Sequence, residues 1–480
     1  MIRLGSKYQH LVHGAGCGCS NPLLLRASQR LEAITRRGLL AGAGAGLFAT
    51  VLPASGEAQA PARKTLFRQL RLFDGTSQDL KSGAQVLVEG DRITAVDTAN
   101  NPPPSDAQVL DCGDRVLMPG MIDAHWHTLY AAVPAAALVG GDPGFIFAAS
   151  TAEAERTLLR GFTSVRDVGG PVFAFKQAID AGIIPGPRIY PSGAMITTSG
   201  GHGDLRMLTE VPRSPAELSP IERIGAAMIA DSAGEVNMRV REQLLQGASQ
   251  IKIVGGGGVS SPRSPLDMTT FSEADLRIAV GVAKDWNTYV TVHAYAPHTV
   301  QRAIAAGATC IEHAHLMDEE TAALMAEKGV WLSTQPFLSV EDTVVLTGPS
   351  AERSHQIFAG TPKIYDFIRK FGIKAAWGSD MLFSPELAHR QNVMLTHLSR
   401  WYSNAEVLRM ATSVNAELLA LSGPRNPYPG KLGVIERGAY ADILVVDGNP
   451  LDDIALMESP GETLSVVMKG GRLHKNTLPV

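Results

Sequence analysis

The strongest constraint on the fold is a regular alternation of apolar and helical stretches through the middle of the chain, over residues 118–425. Short apolar runs predict buried parallel strands, and the Ala/Leu/Glu-rich segments between them, such as 272–286 and 318–328, predict helices. Eight such units in about 300 residues match an α/β fold of the TIM (β/α)8 barrel type. A doubly wound sheet is the alternative, but it does not naturally give eight units. The predicted strands are GMIDAHWH, FTSVRDV, RIYPSGAMI, QIKIVGGG, YVTVHAY, TCIEHAH, VWLSTQPF and KAAWGSD.

Both ends of the chain outside this region carry short alternating stretches with Gly and Asp turns, a pattern typical of strands. They are TLFRQLRLFDG, AQVLVEGDRITAVD and AQVLDCGDRVLMPG before it, and KLGVIERGAYADILVVDGNP and LSVVMKGGRL after it. We therefore expect a small β-sandwich domain built from both termini, over residues 63–117 and 426–480. The barrel domain is expected over residues 118–425.

The first 62 residues differ in kind from the rest. The segment TRRGLLAGAGAGLFATVLPASGEAQA has paired arginines, Arg36 and Arg37, then a short apolar stretch and a small-residue cleavage pattern at 58–60. Paired arginines at this place predict a Tat export signal, hence the Tat machinery as a partner and a periplasmic location. The apolar stretch is too short and glycine-rich for a transmembrane anchor, so we expect no integral membrane segment in the mature chain.

Composition excludes several classes of protein. The 480 residues carry a formal net charge of −4 and no block of like charge, which argues against a nucleic-acid binder. Of the four cysteines, Cys17 and Cys19 belong to the segment expected to be removed, where a role in metal binding stays open. The remaining Cys112 and Cys310 are too few for a disulfide framework and are expected to be small core residues.

The first motif that indicates a metal site is His125-Trp-His127, which directly follows an apolar run. Alternate residues of a strand point to the same face, so the two imidazoles lie side by side, which suits half of a metal site. Metal-ligand residues also end other predicted strands, and the active site of a TIM barrel lies at those ends. These further residues are Lys252, His293, His313 and Asp380.

Lys252 is the most informative of these residues, because an ammonium group in the interior of a barrel is unfavourable. One interpretation is a salt bridge to Asp380. The other is a carboxylated lysine, whose two oxygens bridge two cations.

The motifs HWH, IKI, VHAY, IEHA and GSD, with the C-terminal segment GVIERGAYADILVVD, resemble the amidohydrolase superfamily. Within it, the chain is similar to the imidazolonepropionase-like branch that includes prolidase-like metal-dependent dipeptidases and carboxypeptidases. The segment IKIVGGGGVSSP is similar to their fourth strand, although GGGGV stands where ASGGV is more usual.

The resemblance implies two divalent metal ions, with zinc expected for histidine-rich ligation and manganese or iron as alternatives. It places the first ion on His125, His127 and Asp380, the second on His293 and His313, and a Lys252 carboxylated by CO2 between them. Such a pair of ions activates a water molecule. Asp380 is then expected to accept the proton of that water and to deliver it to the leaving amine.

Other residues are candidates for substrate contacts. Tyr295 lies two residues after His293 and is expected to face the same way, so that its hydroxyl binds a substrate carboxylate or an oxyanion. His202, in a glycine-rich loop, is a second candidate, and Arg263 is a candidate carboxylate clamp. Arg166 and Asp167 are expected to form a structural ion pair under the site.

Four more histidines have no partner motif and are expected on the surface or in helices. They are His298, His315, His389 and His397.

The predicted function is metal-dependent cleavage of an amide bond in a small molecule, namely a dipeptide or N-acyl amino acid. A ring hydrolase for cyclic amides or a deaminase with one metal ion is an alternative, against which Lys252 counts. A non-catalytic binding protein on this scaffold is another, although none of the ligand residues is missing. Homo-oligomers are common for this architecture, but the sequence leaves the oligomeric state open.

Overall fold

The computed structural model describes residues 64–97, 102–212, 217–261 and 263–478, all within the unit Ala62–Val480. The predicted export segment, with Arg36, Arg37, Cys17 and Cys19, lies outside the described residues. The Tat signal and the periplasmic location therefore stay predictions.

The described strands follow the apolar runs of the sequence. They are β1 Lys64–Leu72, β2 Lys81–Glu89, β3 Arg92–Asp97, β4 Ala107–Pro119, β5 Met121–Trp126, β6 Phe162–Asp167, β7 Arg188–Pro191, β8 Met195–Thr197, β9 Ala227–Ile229, β10 Ile251–Val254, β11 Val290–Ala294, β12 Cys310–His313, β13 Trp331–Thr334, β14 Ala375–Trp377, β15 Ile443–Val446, β16 Leu464–Lys469 and β17 Arg472–Asn476.

The strands of the middle region are parallel and lie in two sheets. One sheet has the order β14-β13-β12-β11-β10-β8-β9, and the other has the order β5-β6-β7. Each of the eight predicted stretches contains a strand, but RIYPSGAMI forms two, because Gly193 turns the chain with a φ of +73° between β7 and β8. The short strand β9 was not predicted. The parallel α/β arrangement is confirmed, whereas closure of the two sheets into one barrel stays a prediction.

Strands from both ends of the described chain form a third sheet, with the order β17-β16-β15-β4-β1-β2-β3. Its centre is the antiparallel pairing of β4 with β15, in which Leu444 lies opposite Met118. This pairing explains why both terminal regions carry the same alternating pattern. The sheet runs to Pro119, two residues past the expected boundary at 117, and the sandwich and domain boundaries stay predictions.

Helices cover the connections between the parallel strands. The described α-helices are α1 Ala135–Gly140, α2 Pro143–Leu159, α3 Phe173–Asp180, α4 Pro220–Arg223, α5 Ala233–Gln246, α6 Glu273–Asp285, α7 Pro297–Ala306, α8 Glu319–Lys328, α9 Pro349–Phe371, α10 Pro385–Ala388, α11 Gln391–Thr396, α12 Asn404–Arg409, α13 Asn415–Ala420 and α14 Pro460–Thr463.

Both helices predicted by residue range are present. In α6 the side chain of Ser272 accepts a hydrogen bond from the backbone N–H of Asp275, and the side chain of Asp275 accepts one from the backbone N–H of Ser272, so a capping box fixes the first turn. In α8 the side chain of Asp318 caps the start and Gly329 ends the helix with a φ of +64°. Within the described ranges, no helix combines the length and the apolar character needed to cross a membrane.

The end of β14 lies directly against β5. The backbone N–H of Asp380 donates to the carbonyl oxygen of His125 at 2.9 Å. A Cβ atom on Gly378 would lie 2.3 Å from the Cβ of His125, so only glycine permits this approach.

We expect Gly378→Ala to lower the free energy of unfolding by about 1–3 kcal/mol, because the added methyl group has no space against His125. Gly281→Ala is the matched control, since nothing lies within 4 Å of its added Cβ atom in α6. The control is expected to raise stability by about 0.5–1 kcal/mol. Denaturant unfolding measures both, and equal stability of the two variants would contradict the close approach.

Candidate metal centre and active site

The predicted ligand residues converge on one pocket. Each lies in a parallel strand or just beyond its carboxyl end, which is where α/β enzymes build their sites. His125 belongs to β5, Lys252 to β10 and His313 to β12, so the pocket draws on both parallel sheets. The predicted residues that line it are His125, His127, His202, Lys252, His293, Tyr295, His313 and Asp380.

Asp380 lies at the centre of this group. Its Oδ1 atom is 3.2 Å from Nε2 of His125 and 3.3 Å from Nε2 of His127. Its Oδ2 atom is 3.9 Å from Nδ1 of His313. His125, His313 and Asp380 each offer a ligand atom, and these atoms all lie within 4.8 Å of one another. Imidazole nitrogen and carboxylate oxygen at this spacing fit a divalent transition metal such as zinc.

Hydrogen bonds to backbone oxygens orient two of the histidine rings. Nδ1 of His127 donates to the carbonyl oxygen of Gly169 at 3.1 Å, and Nε2 of His293 donates to that of Gly257 at 2.8 Å. A carbonyl oxygen only accepts, so each bond fixes the proton on one ring nitrogen and leaves the other nitrogen as a lone-pair donor.

The backbone at two predicted ligands has an unusual conformation. His313 has a φ of +77° and Asp380 a φ of +52°, in the left-handed region that residues with a Cβ atom rarely adopt. Such conformations cost about 1–3 kcal/mol each and persist where the surroundings enforce them. The strain is located at the two residues whose side chains must meet.

Burial sets the charge states of the site. It holds the pKa of His293 and of His313 well below the ordinary histidine value, so both rings are neutral and able to bind a metal. Burial alone would raise the pKa of Asp380, but the neighbouring His125 holds that pKa well below its ordinary value. The pocket therefore contains a carboxylate rather than a carboxylic acid.

Lys252 is buried, with 2% of its surface exposed, and burial lowers its pKa. A lower pKa favours the neutral amine, which is the form that reacts with CO2. Within the described part of the chain, no ion pair or hydrogen bond involves its Nζ atom. The alternative interpretation of a salt bridge from Lys252 to Asp380 is therefore wrong for this structure.

The two candidates for substrate contact lie beside the histidines. The ring of Tyr295 stacks on that of His313 with centroids 4.9 Å apart, and the ring of His202 stacks on that of His293 at 4.5 Å. Burial lowers the pKa of His202 to about 4, so this ring is neutral at pH 7. Its Nδ1 atom is buried without a hydrogen-bond partner.

The expected ion pair of Arg166 with Asp167 is wrong. Nη2 of Arg166 lies 2.6 Å from Oε1 of Glu312 instead. Asp167 accepts hydrogen bonds from the backbone N–H groups of Thr128 and Gly169. The two side chains are neighbours in a strand and point to opposite faces, so each finds its own partner.

Of three further predictions, those on His315, Arg263 and His298, only the one on His298 agrees with the structure. His315 is not a surface or helix residue: it is buried in the loop after β12 and donates from Nε2 to the carbonyl oxygen of Gln335. Arg263 is exposed and is not among the residues that line the pocket, so its proposed carboxylate clamp has no support here. His298, at the start of α7, is exposed as expected.

Part of the pocket lining is an apolar wall that the sequence did not predict. These residues come from loops and helices after β13 and β14, where apolar residues carry no periodic signal. The wall consists of Phe337, Val344, Leu346, Ile357, Phe358, Leu382, Phe383 and Leu387. Glu312 was also missed, although a charged residue inside the apolar run CIEHAH was a visible signal.

Comparison with known proteins identifies the family. The sequence model of the amidohydrolase family matches residues 116–473. The chain belongs to the amidohydrolase family. The resemblance drawn from the strand-end motifs is thereby confirmed.

Relatives with stated activities include prolidase-like enzymes and an ochratoxinase. Ochratoxinase from Aspergillus niger is 30% identical over 440 residues, which cover 86% of this chain and 87% of that protein. A prolidase structure with N-methylphosphonate-L-proline is 33% identical with a TM-score of 0.78, covering 86% and 100% of the two chains. An Xaa-Pro dipeptidase structure with bound methionine is 28% identical with a TM-score of 0.71, covering 86% and 100%.

We expect His313→Ala to weaken zinc binding by at least 10-fold, because it removes one of the three clustered ligand groups. His298→Ala removes an exposed imidazole outside the pocket and is expected to bind zinc like the unmodified chain. Titration of metal-depleted protein with zinc against a chromophoric chelator measures both. Equal zinc affinity of the two variants would show that His313 is not a ligand.

Proposed function

We propose that this amidohydrolase is a metal-dependent enzyme that cleaves the amide bond of a dipeptide or N-acyl amino acid. The observation that supports it most is the meeting of Asp380 with His125, His127 and His313 in one pocket. A buried carboxylate and several neutral imidazoles are costly to collect without a cation to bind.

The residues present fit a pair of metal ions. His125 and His127 would hold one ion together with Asp380, and His293 and His313 would hold the other. Lys252, whose Nζ atom has no partner among the described residues, would bridge them after carboxylation by CO2. Ions bound there would polarise the scissile carbonyl and lower the pKa of water.

The side chains of the chain itself supply the proton transfer. Asp380 is held as a carboxylate and lies within 3.3 Å of two imidazole nitrogens, so it is the base for the attacking water. The same carboxyl group then gives that proton to the leaving amine. The apolar wall keeps bulk water away from the reacting atoms.

Tyr295 and His202 are the proposed substrate contacts. Burial holds the pKa of Tyr295 well above its ordinary value, so its hydroxyl group keeps a proton to donate to a carboxylate or an oxyanion. His202 is neutral and lines the same pocket, so it offers one donor and one acceptor.

The relatives support a substrate that ends in an amino acid. The prolidase structure holds N-methylphosphonate-L-proline, and the dipeptidase structure holds methionine. Both ligands contain an amino-acid unit, which is the leaving group that the proposed reaction releases.

A ring hydrolase for cyclic amides, or a deaminase, with a single ion is the second candidate. The tightest ligand cluster, His125, His313 and Asp380, has the size of a site for one ion. The position of Lys252 in the same pocket favours the two-ion site. A non-catalytic role is disfavoured because all the expected ligand residues line the pocket.

We also propose that the two parallel sheets close into one (β/α)8 barrel. Arg166 of β6 reaches across to Glu312 of β12, so side chains from the two sheets meet in the interior. The backbone hydrogen bond from Asp380 to His125 joins the ends of β14 and β5. A closed barrel requires contacts of both kinds, one across its interior and one between its first and last strands.

We expect the purified enzyme, supplied with zinc and bicarbonate, to release free amino acids from dipeptides or N-acyl amino acids. A chelator should abolish this release. Asp380→Asn should lower kcat by about 10²–10⁴-fold, because it removes the group that transfers the proton. Asp285→Asn, at the exposed end of α6, is the control and should keep full activity.

Release that survives the chelator would contradict metal dependence. Full turnover by Asp380→Asn would remove Asp380 as the proton-transfer group. Hydrolysis of cyclic amides alone, with no release from the linear panel, would favour the second candidate.

A further inference from the structure

A buried ionic network lies directly behind the candidate metal centre. Nη2 of Arg166 is 2.6 Å from Oε1 of Glu312, and both side chains are 0% exposed. Thr291 donates its hydroxyl to the same Oε1 atom. The other carboxylate oxygen, Oε2, lies 2.7 Å from Nδ1 of His125.

This arrangement determines which nitrogen of His125 carries the proton. Glu312 is paired with a guanidinium group and is therefore an ionised, acceptor-only group. Nδ1 of His125 must donate to it, so Nε2 is the nitrogen left to bind a metal. Nε2 is the atom that faces Asp380 at 3.2 Å, on the pocket side of the ring.

Arg166 in turn is fixed from several directions. Its Nε atom donates to the carbonyl oxygen of Ala124, and Nη1 lies 3.2 Å from the hydroxyl group of Tyr289. The guanidinium group therefore cannot turn away from Glu312 without losing these bonds. The position of Glu312 is thus set by strands on both sides of the site.

Glu312 differs from the partners of the other metal-site histidines. His127 and His293 donate to backbone carbonyl oxygens, and Nδ1 of His313 pairs with the side-chain oxygen of Gln335 at 2.7 Å. Among the described hydrogen bonds that these four rings make to groups other than Asp380, only that of His125 goes to a charged acceptor. A charged acceptor holds a ring more strongly and makes its other nitrogen a better donor to a metal.

We propose that Glu312 is a positioning residue for the metal centre, and that Arg166 and Thr291 hold it so that Nε2 of His125 faces the metal. Stability alone is a poor explanation of this network, because a buried ion pair gains little over well-packed apolar residues. The inference rests on the proposed metal site but not on the reaction that the site performs.

Two double variants test the proposal, and both remove the buried charges together. Arg166→Met with Glu312→Met leaves Nδ1 of His125 without an acceptor. Arg166→Met with Glu312→Gln keeps an uncharged amide oxygen at that place. Asp442→Asn is the control. Asp442 forms a buried ion pair with Arg188, with Oδ2 of Asp442 3.0 Å from Nε of Arg188, and it is not among the residues that line the pocket.

Zinc affinity of metal-depleted protein is the measurement. The Met/Met variant should bind zinc 10–100-fold more weakly than the unmodified chain, and the Met/Gln variant should recover a large part of that loss. Asp442→Asn should bind zinc normally. Equal zinc affinity of the two double variants would overturn the proposal, because the acceptor would then not matter.

Histidine NMR tests the proposal without any change to the network. In protein labelled with ¹⁵N-histidine, His125 is assigned by its absence in His125→Gln. The expected signal in the metal-depleted chain shows a proton on Nδ1. A His125 ring with its proton on Nε2 alone would overturn the proposal. Failure of the unmodified chain to bind zinc would instead count against the proposed function.

Discussion

The negative charge of Asp380, held in a buried pocket among histidine rings, is the constraint on which the rest of the site depends. A buried carboxylate is stable only beside groups that compensate its charge, and here the imidazoles of His125 and His127 lie within 3.3 Å. Their neutral neighbours, His293 and His313, cannot supply a full positive charge because burial keeps their pKa low. The divalent cation that we propose would satisfy the carboxylate and the imidazole nitrogens together.

Bringing these groups together requires unfavourable features of the fold, and their free-energy cost is offset by packing elsewhere. His313 and Asp380 occupy the left-handed region of backbone conformation, and Gly378 allows β14 to lie against β5. The buried pair of Arg166 and Glu312 ties the two parallel sheets together behind His125. Packing of the large apolar core holds the left-handed residues and the buried ion pair in position.

The sequence predicted the parts of this structure that depend on local pattern. The apolar runs became strands, and each strand-end ligand residue entered the same pocket, because the carboxyl ends of parallel strands share one end of the fold. The Ser272 and Asp318 caps likewise have local signals. These features follow from residues close together in the chain.

What the sequence did not predict depends on contacts between distant residues. The partner of Arg166 is Glu312, 146 positions away, rather than the adjacent Asp167. The loop that carries Val344 and Leu346 is held by Asp342, which accepts hydrogen bonds from Arg390 and from the backbone of Leu338. His315 is buried because its loop turns inward after Ala314, which has a φ of +53°. Periodicity carries no information about such contacts.

The most direct test of the two-metal centre is a crystal structure of the protein grown with zinc and bicarbonate, with anomalous data at the zinc edge. We expect two anomalous peaks about 3.5–4 Å apart, one beside His125 and His127 and one beside His293 and His313. We also expect extra density on Nζ of Lys252 between the peaks. A single peak with unmodified Lys252, or no peak in the pocket, would contradict the two-metal centre.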